Sequence, residues 1–229
     1  RAVPSRPRLK TPEQFRLIGR PTPRLDAAAK TDGSARFGID VQLPGLLHAA
    51  IQFCPTRLGR VQACDEAPAR ALPGVQAVVR LDPMAGGSGG MAVVATRWWQ
   101  ARQAVEALQV HWDHGPLAGF DSDAALNSLS TLLEKDDGFA FHREGDVDAA
   151  LAAATRRIEA EYRAPWLAHS TLEPMNCTVQ LAEDGRSATV WAPTQVPGLA
   201  RRAAAQALGL DSDAVTVHVT LLGGGFGRR

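Results

Sequence analysis

The alternation of apolar and polar positions divides the chain into short elements. Residues 45–53 alternate loosely, and 59–65 do the same, so both read as strands. Glu66 to Leu72 reads as a short helix stopped by Pro73-Gly74. Val75 to Leu81 is a third strand, and the Gly-rich turn 82–90 leads into a short buried strand, Met91 to Ala95. Thr96 is placed to cap a helix reaching Leu108, with Trp98, Ala101, Val105 and Leu108 on one apolar face. Gln109 to Trp112 returns as a strand. The order strand, strand, helix, strand, strand, helix, strand predicts a mixed α+β unit.

Further along, Asp121 is a candidate N-cap for a helix ending at Leu133, and Asp146 for one over 147–154. Residues 157–163 read as a strand. Residues 176–181 and 188–191 read as a hairpin about the turn Glu183-Asp-Gly-Arg186. An Ala/Arg-rich helix over 196–208 ends at Gly209, and 214–222 is a strongly β-type strand. The expected organisation is an arm or linker at 1–24, a first unit at 25–115, a connector at 116–144 and a second unit at 145–229.

Bulk properties narrow the function classes. A chain of 229 residues implies one large domain or two modest ones. A net charge of +1 gives no electrostatic footprint for nucleic acid. No apolar run reaches the length of a membrane span. The Arg- and Pro-rich start lacks the apolar stretch of a secretory signal. The three cysteines, Cys54, Cys64 and Cys177, form no Cys-x-x-Cys, so buried free thiols are expected, with a Cys54–Cys64 bridge as the alternative.

Three stretches carry candidate chemistry. The first is Gly223-Gly-Gly-Phe-Gly-Arg-Arg229, directly after the last strand. Glycines there let a bulky anionic or metal-bound group approach bare backbone N–H groups. The pattern is neither a nucleotide-hydrolase phosphate loop nor a dinucleotide fingerprint. Arg228 and Arg229 would suit phosphate as bidentate donors, and a tight glycine turn is the bland alternative. The second is His169-Ser-Thr-Leu-Glu-Pro-Met-Asn176. On a helix His169 and Glu173 would share a face, as a metal or acid–base pair. Pro174 favours extended backbone instead, and a buried hydrogen-bonded turn is the simpler reading. The third is Trp191-Ala-Pro-Thr-Gln195, where Gln195 can donate and accept hydrogen bonds, against a plain helix-capping role. No Gly-x-Ser-x-Gly nucleophile motif is present.

Together these stretches resemble the molybdenum-binding large subunit of the xanthine dehydrogenase/aldehyde oxidase family, nearest the isoquinoline 1-oxidoreductase β-subunit and bacterial aldehyde dehydrogenase branch. The resemblance begins with Gly19-Arg-Pro-x-Pro-Arg-Leu-Asp-Ala-x-Ala-Lys30, Gly33-x-Ala-x-Phe-Gly-Ile-Asp40 and Leu43-Pro-Gly45. It continues through Leu72-Pro-Gly-Val-x-Ala-Val78, Ala92-Val-Val-Ala95 and Trp99-Gln-Ala-Arg-x-Ala104. The three candidate stretches complete it, in chain order, with 31 residues from Gln195 to Phe226.

The resemblance implies an α/β-hammerhead domain followed by the first part of a molybdenum-cofactor-binding domain. It implies a molybdenum–pterin cofactor held by the pterin's own dithiolene sulfurs. Gln195 would then hydrogen-bond an oxo ligand, with Gly224, Gly225, Phe226 and Gly227 beside the cofactor and Arg228 facing it or the substrate. The implied reaction oxidises aldehydes or N-heteroaromatic rings, with water as oxygen source and electrons leaving through iron–sulfur clusters on a small partner subunit. A cytochrome acceptor and a periplasmic location belong to the resembled branch, with a cytoplasmic location as alternative. The catalytic base is expected beyond residue 229, not at Glu161 or Glu173, so the chain is expected to be an inactive portion of a larger subunit. A non-catalytic scaffold and a phosphate-binding module remain as rival readings.

Overall fold

A computed structural model describes residues 6–84, 86–135, 138–227 and 229. The described residues form two compact units, one drawn from the ranges 1–42 and 169–229 and the other from 43–168. These units divide the chain elsewhere than the boundaries read from the sequence at 24/25, 115/116 and 144/145. The segment 25–42, which by chain order opens the first unit, packs instead with the C-terminal residues. It carries helix α1 (Ala27–Asp32), ended by Gly33 in the left-handed conformation at φ 80°.

In the 43–168 unit the expected order of elements is present. Strand β1 (His48–Phe53) is followed by β2 (Arg60–Asp65), helix α2 (Ala67–Arg70), β3 (Val75–Leu81), β4 (Gly90–Ala95), helix α3 (Trp98–Ala107) and β5 (Gln109–Asp113). Strand β4 lies between β1 and β3, antiparallel to both, and β2 pairs antiparallel with β5. Its apolar sequence follows from this position, since a strand covered on both faces has no reason to alternate. Met91 and Val93 are among the most buried side chains of the chain. They pack with Ala50 and Val61 against Ala101, Ala104, Val105 and Leu108 of the α3 region.

Two details of α3 differ from the sequence reading. Arg97, not Thr96, is the N-cap, and the Thr96 hydroxyl instead donates to Gln100 Oε1 at 2.7 Å. Trp98 is exposed and Ala104 takes its place on the buried face. In the first turn a side chain leans toward the N-terminus, beyond the sheet that the next turns cover.

Helices α4 (Ser122–Leu133) and α5 (Val147–Ala153) begin where their caps predict. Asp121 Oδ1 accepts from the Ala124 amide at 2.7 Å, and Asp146 Oδ1 from the Ala149 amide at 2.9 Å. The strand expected over 157–163 is absent. Every residue there is exposed, and among the described residues no strand pairs with it. Side chains hold the stretch locally, with Arg163 donating to Glu161, Asn127 and Ser130.

In the C-terminal part, β6 (Thr178–Leu181) and β7 (Ala188–Ala192) form the expected hairpin. Helix α6 (Pro197–Leu208) then crosses over and the chain returns as β8 (Val215–Val219), parallel to β7. Gly209 ends α6 at φ 66°. Ala188, Val190 and Ala192 of β7, Val215 of β8 and Ala205 of α6 form the small core of this unit. The final strand is shorter than the apolar run 214–222; beyond it Leu221 makes an isolated parallel bridge to Phe37. All three cysteines are free, so the Cys54–Cys64 bridge is not formed. Cys54 is buried as expected, whereas Cys177 is exposed at the entrance to β6.

Candidate functional site

Parallel pairing decides where the candidate stretches meet. Strands β7 and β8 run in the same direction, with Ala192 opposite Val219, so their C-terminal ends lie at one edge of the sheet. Ligands of α/β sheets bind outside such ends, where loops can diverge without competing for ladder hydrogen bonds. The Pro193–Val196 loop leaves β7 there, and the glycine loop leaves β8. The Thr220 amide donates to the Ala192 carbonyl at 3.3 Å, which continues the pairing one step into both loops.

Gln195 is exposed in the first of these loops. The loop is shaped by its own backbone, with the Thr194 amide donating to Ala192 O at 3.0 Å and the Val196 amide to Thr194 Oγ1 at 3.1 Å. In the second loop Gly224 adopts φ 101°, Phe226 φ 52° and Gly227 φ 85°. Glycine enters that region without penalty. For a bulky residue such as Phe226 it is a strained conformation, held only where surrounding structure over-determines it. The Phe226 ring is 75% exposed, so its own packing does not supply the restraint. A Cβ at Gly227 would meet nothing within 4 Å, and one at Gly225 nothing closer than 3.7 Å. Phe226 and Gly227 are exposed, and the space beside Gly227 is open. Arg228 lies outside the described residues.

What restrains the loop is Glu173. It is one of two buried charged residues among the described positions; the other is Arg229. The Glu173 carboxylate accepts four hydrogen bonds. Oε1 accepts from the Ile39 amide at 3.0 Å and from Asn176 Nδ2 at 3.1 Å. Oε2 accepts from the Gly223 amide at 2.9 Å and from Arg229 Nη1 at 2.9 Å. The Glu173 amide donates to Gly223 O at 3.0 Å, and its carbonyl accepts from Thr171 Oγ1 at 2.8 Å and from Arg229 Nη2. Burial favours the protonated acid, but the Gly223 amide, Asn176, the Ile39 amide and the Arg229 charge outweigh it. The Glu173 carboxyl is held below its ordinary value.

Two glycines are required by this packing. A Cβ at Gly223 would fall 2.2 Å from Glu173 Cβ. One at Gly38 would fall 2.5 Å from Asn176 Oδ1 and 2.6 Å from Pro193 Cδ. The His169–Asn176 stretch is therefore a buried hydrogen-bonded turn, and Glu173 points into it. His169 is exposed, and among the described residues no group of three His, Cys, Asp or Glu is placed to hold a metal ion. Arg229 is spent on Glu173, which removes it from the phosphate-binding reading. Sequence reasoning did not pair Glu173 with Arg229, because 56 residues separate them and no local period connects them.

The chain is similar to known proteins over nearly its whole length. Residues 133–229 match the family described as the molybdopterin cofactor-binding domain. The chain is 34% identical to the isoquinoline 1-oxidoreductase subunit beta of Brevundimonas diminuta over 96% of its length, covering 28% of that protein. It is 26% identical to the xanthine dehydrogenase molybdenum-binding subunit of Escherichia coli O157:H7 over 90% of its length, covering 32% of it. Its fold matches the aldehyde oxidoreductase of Desulfovibrio gigas with a TM-score of 0.64, at 20% identity, over 90% of this chain and 27% of that one. Residues 133–229 thus match a molybdopterin cofactor-binding domain, and the chain spans somewhat under a third of the length of these two subunits.

Proposed function

We propose that the chain forms one wall of a molybdenum–pterin site in a hydroxylase acting on aldehydes or N-heteroaromatic rings. The observation that carries this reading is the parallel pairing of β7 with β8, from which the Gln195 loop and the glycine loop leave one sheet edge. The residues at that edge suit the group. Gln195 offers a neutral amide donor, and Phe226 and Gly227 offer exposed backbone, so neither competes with the pterin sulfurs for the metal. Arg228 is assigned to the cofactor or the substrate in the same reading.

The cofactor, when bound, supplies oxygen transfer from water and accepts two electrons from the substrate carbon. For an aldehyde the balance is aldehyde plus water giving carboxylic acid, two protons and two electrons. The part of this chain is to bind and orient. With the cofactor bound, the Gln195 amide would donate a hydrogen bond to it, and the amides about Phe226 and Gly227 would be available beside it. Neither described candidate serves as base. Glu173 is buried and fully engaged, and Glu161 is exposed and bonded to Ser130 and Arg163. The base belongs to the remainder of the large subunit.

The electrons would leave through iron–sulfur clusters on a small partner subunit, with a cytochrome as a further acceptor. The resembled branch suggests a periplasmic location for the assembly, with the cytoplasm as the alternative. The test is metal analysis of the full-length subunit copurified with its small partner. Stoichiometric molybdenum together with iron and acid-labile sulfide supports the reading. A folded, molybdenum-free complex overturns it and leaves the scaffold role.

A further inference from the structure

We propose that Glu173 is the positioning residue of the glycine loop, and that its carboxylate sets the loop geometry on which cofactor binding depends. The inference rests on the function proposed above. It is carried by one atom. Oε2 of Glu173 holds the Gly223 amide and the Arg229 guanidinium at the same 2.9 Å. Those two residues bracket the loop, so both of its ends are fixed at a single oxygen. The other oxygen, Oε1, is anchored by the Ile39 amide, from a distant stretch of the same unit, and by Asn176 of Glu173's own turn.

This bracket accounts for the strain at Phe226. Pinning residues 223 and 229 to one point leaves a short span, and three of its described residues lie in left-handed conformations. Gly224 and Gly227 supply two of them without cost, and Phe226 supplies the third. Closing a short loop costs conformational entropy, and the exposed Phe226 ring gives back little of it. The restraint comes from the buried charge cluster. A buried ion pair is a poor source of net stability compared with apolar side chains of similar volume, yet it demands one geometry. Its presence in a unit with a small core therefore points to loop geometry rather than to stability.

Carboxylate chemistry is needed here, not merely bulk. Four donors converge on two oxygens, and an amide in the same place turns one acceptor into a donor aimed at another donor. An apolar pair fills the space but releases the bracket.

The experiment uses the full-length subunit with its small partner. Wild type is compared with Glu173→Gln and with the double variant Glu173→Met/Arg229→Leu. Thermal melting reports the fold, elemental analysis reports molybdenum per folded subunit at limiting cofactor supply, and electron paramagnetic resonance of the partly reduced centre reports its geometry. The double variant is expected to melt close to wild type and to retain roughly tenfold less molybdenum, with an altered spectrum in the remainder. Glu173→Gln is expected to show the same loss. Folded double variant with wild-type molybdenum content and an unchanged spectrum overturns the inference while leaving the proposed function intact. Wild type without molybdenum overturns both.

Discussion

Arg229 Nη1 lies 2.9 Å from Oε2 of Glu173, with the two side chains only 1% and 5% exposed. An ion pair sealed from solvent to this degree behaves asymmetrically. Both charges have lost their hydration, so removing one partner strands the other. Arg229→Ala is expected to destabilise the unit by about 3–5 kcal/mol, and Glu173→Met/Arg229→Leu by much less. Denaturant unfolding of the full-length subunit and both variants measures this. Equal losses in the two variants would show that packing volume, not charge, dominates the cluster.

Acid should reach the same cluster. Burial raises the Glu173 pKa, but its hydrogen bonds and the Arg229 charge together hold it below the ordinary value of 4.5. A carboxyl with a depressed folded pKa contributes stability that is fully present above the unfolded pKa and is lost as pH falls through the folded one. The glycine-loop region should therefore keep this contribution at neutral pH and lose it progressively in acid, as the pH falls below the ordinary value of 4.5 and on through the lower folded one. Stability measured against pH should fall more steeply in wild type than in the double apolar variant. Parallel curves would exclude Glu173 as a source of the acid sensitivity.

Gly223 and Gly227 should respond differently to alanine. At Gly223 the new Cβ meets Glu173 Cβ, so backbone or carboxylate has to move, at roughly 1–3 kcal/mol. At Gly227 space is open, and the cost is the left-handed backbone alone, about 1–2 kcal/mol. Loss of protease resistance near residue 173 is expected for Gly223→Ala and not for Gly227→Ala. Resistance that survives in both would contradict the tight 173–223 contact.

Gln195→Ala separates stability from function. The side chain is exposed, so the fold should change by less than about 0.5 kcal/mol. In the assembled enzyme the loss of a donor to the cofactor's oxygen should lower kcat by roughly 10²–10³-fold. An enzyme that turns over at the wild-type rate would remove Gln195 from the site.

Local structure was largely legible in the chain itself. The apolar run at Met91–Ala95 marked the buried β4, and Asp121 and Asp146 marked two helix starts, because capping and burial on both faces act within a few residues. The candidate site was legible in parts: the loop after β8, the loop holding Gln195 and the turn at Glu173 each carried a local signal. The strand read over 157–163 shows the limit of such signals. Strand-forming residues make a strand only beside a partner, and among the described residues no strand pairs with it.

Tertiary structure decided the rest. Parallel alignment of β7 with β8 put two loops at one edge, and the pairing of Glu173 with Arg229 closed one of them across 56 residues. It also drew the Phe37–Ile39 stretch into the C-terminal unit, through Leu221 and the Glu173 carboxylate. Side-chain periodicity reports which face of an element is buried. It is silent on which distant donors will share a single buried oxygen, because that depends on the strands having already assembled.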